Sequence, residues 1–88
     1  SGHFSFGITF LENYLEMGNL NEVPTVVVVY KTVYRRKEKY HLEVFKNIRV
    51  DDIIDGKKRK PPIPHDVELV EIGVGASFEE KYRKKYKL

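Results

Sequence analysis

Few residue types in this chain could carry chemistry. There is no cysteine, so a disulfide framework, a thiolate zinc site and a cysteine nucleophile are excluded. The nucleophile candidates are the hydroxyls of Ser5 and Ser77, and the acid–base candidates are His41 and His65. His3 falls in Ser1-Gly2-His3, which reads as a cloning remnant. Asp51, Asp52 and Asp55, with His65 and Asp66, offer donors that a hard cation accepts. Their spacing matches no calcium loop, and an acidic turn beside a basic loop explains them equally well. The expectation is a domain that is not an enzyme and holds neither metal nor cofactor. A small basic ribonuclease using His41 or His65 stays open as a further reading.

The basic residues are the more informative set. Sixteen Lys and Arg stand against 13 Asp and Glu, a formal net charge of +3. That charge is segregated: Lys31–His41 carries +4, Gly56–His65 +4 and Ser77–Leu88 +3, which leaves −8 for the rest. Three such runs form a phosphate footprint if the fold brings them to one side, and are only solvated surface if it does not. Lys58-Arg59-Lys60-Pro61-Pro62-Ile63-Pro64 has the form of a polyproline ligand, although a stiff loop accounts for it too.

The elements that must position these residues can be read from pattern. Phe4–Ile8 alternates and is expected to be extended. Thr9-Phe10-Leu11-Glu12 fits a capping box, with Leu11, Tyr14 and Leu15 at helical spacing and Gly18 as terminator, which predicts a helix from about Phe10 to Met17. Thr25–Tyr34 is β-branched throughout and predicts a long strand with Val26, Val28, Tyr30, Thr32 and Tyr34 on one face. Arg35–Lys39 is expected as a polar turn, and Tyr40–Ile48 as the returning strand. Val50–Ile54 is either a helical turn or the strand's end. Residues 55–66 form a basic, proline-rich insertion. Val67–Val74 gives a third strand, and Ser77-Phe78-Glu79-Glu80 a second capping box that opens a helix with Phe78, Tyr82 and Tyr86 as its apolar stripe. No apolar run approaches the ~20 residues of a membrane span.

This order, with several of its residues, resembles the double-stranded-RNA-binding domain. Phe10-Leu11-Glu12-Asn13-Tyr14 is similar to the opening of that family's first helix, and Pro24 stands ahead of the first strand as its proline does. His41 follows the hairpin turn near the family's histidine, and Gly73-Val74-Gly75-Ala76-Ser77 matches its Gly-x-Gly-x-Ser. The resemblance covers about residues 9–88. It implies an α+β fold, α-β-β-β-α, with a three-stranded antiparallel sheet and two helices packed on one face. It also implies contact with A-form RNA through phosphates and the minor groove. Phe78 and Glu79 replace the family's paired lysines, Lys81 and Lys85 stand where its alanines pack, the hairpin is longer and lacks the family's Gly-Pro turn, and the Gly56–Pro64 insertion is foreign to it.

The expected contact residues are Glu12 and Asn13, then Arg36, Lys37, Lys39 and His41, with Lys57, Lys58, Arg59 and Lys60 in the insertion. Lys81, Lys84 and Lys85 are added on charge alone. The expectation is thus one domain over residues 4–88, cut from a longer protein, binding double-stranded RNA without base specificity in an intracellular compartment and not at a membrane. The alternative is a protein-interaction or dimerisation domain that has lost RNA binding and docks another protein or a second copy.

Overall fold

The computed structural model describes residues 6–18, 22–49 and 64–88. Their order is α1 (Phe6–Gly18), β1 (Glu22–Tyr34), β2 (Lys37–Arg49), β3 (Val67–Val74) and α2 (Ser77–Tyr86). The strands make one antiparallel sheet in the order β2-β1-β3. The expected α-β-β-β-α, α+β architecture is therefore the observed one. The readings of residues 50–63, including most of the proline-rich insertion, lie outside the described residues.

The helices do not share a face. α1 sets Leu11 and Leu15 on Val26, Val28 and Tyr30, with Phe6, Phe10 and Tyr14 around them. α2 sets Tyr82, Phe78 and Tyr86 on Val27 and Val29, joined by Tyr40, Leu42, Val44 and Val70. Successive strand residues point to opposite faces, so these are the two sides of β1, and the expected one-sided packing is overturned. The physical reason lies in the run of four valines from Val26 to Val29, all at 0% exposure. A strand with one wet face alternates, whereas a strand covered on both faces reads as a continuous apolar run. Each buried Val removes apolar area worth about 1.5–3 kcal/mol, and a bare second face would forfeit it for Val27 and Val29.

Several boundaries also differ from the sequence reading. α1 begins at Phe6 rather than Phe10, because Phe6, Phe10 and Tyr14 at i, i+4 and i+8 extend the stripe of Leu11 and Leu15. Thr9 is consequently inside the helix, where its buried hydroxyl has no partner among the described residues. The first turn instead receives Glu43 from β2, whose Oε1 accepts from the Gly7 N–H at 3.4 Å. Ser77 likewise lies within α2, with Ala76 at the N-cap position and no side-chain cap.

The Gly-x-Gly segment is explained by packing. A Cβ on Gly73 would stand 2.5 Å from the Phe78 ring and 2.7 Å from the Tyr82 hydroxyl. Gly75, at φ 131°, makes the turn into α2 while its N–H donates to the Thr25 carbonyl at 2.9 Å.

Candidate nucleic-acid interface

The hairpin joining β1 and β2 turns through only Arg35 and Arg36, and Lys37 already pairs with Tyr34. The expected five-residue turn, Arg35–Lys39, is thus two residues long. Both central residues have positive φ, 52° and 66°, the requirement of a primed two-residue hairpin turn. Such turns favour Asn-Gly, since a residue with a Cβ meets its own backbone there, at about 1–2 kcal/mol each. Two arginines hold this turn against their conformational preference.

Register then decides which charges share a face. Tyr34 pairs with Lys37, Thr32 with Lys39 and Tyr30 with His41, and all six follow Val26 and Val28 onto the α1 side. The opposite side carries Lys31 paired with Tyr40, and Val33 with Glu38. There Lys31 lies 3.4 Å from both Glu38 and Glu68, and these carboxylates raise its pKa. The α2 side of the tip is therefore internally compensated. On the α1 side, Lys37 and Lys39 are exposed and meet no carboxylate among the described residues. Arg36 is similarly exposed and unpaired, and Arg35 holds its guanidinium 5.2 Å from the centroid of the Tyr34 ring.

Behind this tip the sheet surface becomes a fixed polar cluster. His41 stacks on Tyr30 at 4.9 Å and 16°, and its Nε2 lies 2.8 Å from the Thr32 hydroxyl. Burial, followed by the charge of Lys39, lowers the His41 pKa from its ordinary 6.5, with Glu43 opposing. Tyr30 donates to Glu43 Oε1 at 2.8 Å, and its pKa is raised chiefly by burial and then by that bond. These contacts orient the His41 ring against the core edge.

The cations of α2 are arranged differently. Phe78 packs on Gly73, which pairs with Val27, and Tyr86 stacks on Tyr40 at 5.1 Å. The helix therefore runs towards the hairpin tip, ending level with Lys31, roughly 13 Å short of Arg35 at ~3.3 Å per strand residue. Its cations are largely partnered: Arg83 with Glu79 at 2.9 Å, Lys84 with Glu80 at 3.8 Å and Lys85 with Glu71 at 2.7 Å. Glu71 also accepts from the Tyr86 hydroxyl, and these two bonds hold its pKa below the ordinary range.

The residues expected to touch RNA thus fall into groups. Arg36, Lys37 and Lys39 come together at the tip, with His41 behind them. Glu12 is 6% exposed and belongs to the α1 side of the core, so its expected role as a surface contact is not what the fold offers. Asn13 is exposed on α1, whereas Lys81, Lys84 and Lys85 are exposed on the other side of the sheet. Lys57, Lys58, Arg59 and Lys60 lie outside the described residues, as do Asp51, Asp52 and Asp55. Among the described residues no cluster of His, Asp and Glu could hold a metal, and no helix is long and apolar enough to cross a membrane. Tyr34 and Arg35 were absent from the expected set. Strand parity from Tyr30 to Tyr34 would have placed Tyr34 beside Lys37, once the turn was known to be two residues long.

No protein-family model, curated protein or solved structure matches this chain.

Proposed function

We propose that this domain is a non-catalytic RNA-binding module that holds the phosphate backbone of double-stranded RNA, without reading its bases, through the hairpin tip. The observation that carries this reading is the set Arg35, Arg36, Lys37 and Lys39. All four are exposed, none is paired with a carboxylate among the described residues, and two occupy a turn that disfavours them. Backbone conformations of this kind persist where the surrounding structure or a function holds them. Phosphates supply the missing countercharge, and each contact releases a condensed counterion. An RNA ligand would place the domain in an intracellular compartment. Of the architecture, the element order supports the likeness to double-stranded-RNA-binding domains, and the placement of the helices on opposite faces does not. The RNA would accordingly be held at one end of the sheet.

Filter binding with a ~20 bp RNA duplex, long enough for one module of the ~16 bp kind, tests the reading. Binding that weakens steeply with added salt is expected, and absent or salt-insensitive binding at low ionic strength contradicts it. A second reading rests on the outer edges of β2 and β3, which pair with no further strand among the described residues. An open edge is a template for another chain. Sedimentation decides, because a tight dimer without RNA affinity favours the interaction domain.

A further inference from the structure

Tyr34 is the one large aromatic side chain of the described residues that remains mostly in solvent, at 69% exposure, and it ends β1 on the α1 side of the sheet. Lys37 lies directly across from it, Lys39 is next on the same face, and the Arg35 guanidinium sits over the ring at 5.2 Å. Phosphate binding alone does not require an exposed aromatic ring among these cations. A ring bordered by unpaired cations is how proteins hold unpaired nucleotides, the base stacking on the ring while the cations take the flanking phosphates. The ring also stands at the free end of the sheet, past the last β1–β3 pair at Thr32 and Val67. A base stacked inside an intact duplex has no free face to offer such a ring. A nucleotide at an overhang or bulge does.

We infer that Tyr34 is a stacking platform for an unpaired base, so the RNA this tip takes is a duplex bearing a single-stranded extension or bulge. The inference rests on the RNA-binding reading above and adds the substrate class. Charge complementarity commits the surface to this occupant: the α1 side of the tip offers cations and an aromatic ring, and no described carboxylate pairs with those cations. The acids Glu38 and Glu68 are on the far side, already bonded to Lys31.

The test compares the full chain's affinity for a blunt 20 bp RNA duplex and for the same duplex with a four-nucleotide 3′ extension. The wild type is expected to prefer the extended RNA by about tenfold, within the range base–aromatic stacking supplies. Tyr34→Ala should lose that preference while keeping its affinity for the blunt duplex within about threefold, and Tyr34→Phe should retain the preference. Because the side chain is exposed, all three proteins should give the same circular dichroism. Equal affinity of the wild type for both RNAs, or a preference that survives in Tyr34→Ala, overturns the stacking platform while leaving phosphate binding intact. No binding to either RNA overturns both readings.

Discussion

At the hairpin tip, Arg35, Arg36, Lys37 and Lys39 stand without a carboxylate partner among the described residues, whereas on α2 Arg83, Lys84 and Lys85 each bind one. Both segments are basic in sequence, at +4 and +3. Their difference shows that a count of lysines measures charge and not availability. On α2 the acids lie four residues before the bases, or across on β3, and the pairs close on themselves. At the tip the strand alternation sends Glu38 to the α2 side and leaves Lys37 and Lys39 alone on the other. A phosphate approaching α2 must compete with carboxylates, and one approaching the α1 side of the tip need not.

The contrast can be challenged first from the helix side. Gly73→Ala drives a Cβ into the Phe78 ring and the Tyr82 hydroxyl, which should cost about 1–3 kcal/mol by overpacking. Urea unfolding would show it as a lowered midpoint. RNA affinity, measured where the variant is still folded, should change by less than about threefold.

The tip is expected to answer with opposite signs in one variant. Replacing Arg35-Arg36 with Asn-Gly gives the turn the residues its positive φ values favour. Stability should rise by about 1–2 kcal/mol, or some 5–10 °C in Tm. RNA affinity should fall by about tenfold, and the salt dependence should become shallower by roughly 0.7–0.9 for each phosphate no longer neutralised. Calorimetry and filter binding on the same preparation read both effects. A variant that is more stable and binds RNA as tightly would separate the strained turn from the function.

How much of this was legible beforehand depended on whether the deciding contact was local. The element order was, because β-branched runs and helical stripes are local signals. The side on which each helix packs is a tertiary property. The one-face arrangement followed from resemblance, although four consecutive valines already carry the mark of a strand buried on both sides. The burial of Glu12 is not legible either, because a carboxylate carries no apolar signal. The residue is 6% exposed, next in the chain to the fully buried Leu11. Both expected capping boxes failed because tertiary packing lengthened α1 to Phe6 and because Ala76, not Ser77, precedes α2. Pairing of charges is non-local too, as Lys85 with Glu71 shows, so the separation of free from compensated lysines required the fold.

A smaller effect is expected just behind the tip. The groups around His41 are Lys39, Glu43, Tyr30 and Thr32, and burial lowers its pKa below 6.5. The unfolded chain therefore takes up the proton first. Stability should be full above pH 6.5 and fall as the pH drops through 6.5 towards the lowered folded value. His41→Asn should flatten that slope in denaturation curves at about pH 5–7. An unchanged slope would place the titration elsewhere. The smallest effect belongs to α2's exposed surface, where Arg83→Gln removes a pair with Glu79. It should cost about 0.3–0.5 kcal/mol in thermal unfolding and leave RNA binding unmoved.

The most direct measurement sets two charge-matched variants side by side on the RNA duplex at low salt. Lys37→Gln/Lys39→Gln and Arg83→Gln/Lys84→Gln each lower the formal net charge of +3 by two, the second pair removing cations that each hold a carboxylate. The tip pair is expected to lose about thirtyfold in affinity and the helix pair less than about threefold, with the salt slope reduced only in the first. Equal losses would mean that the chain is held by its overall charge, and would contradict the assignment of the hairpin tip as the binding site.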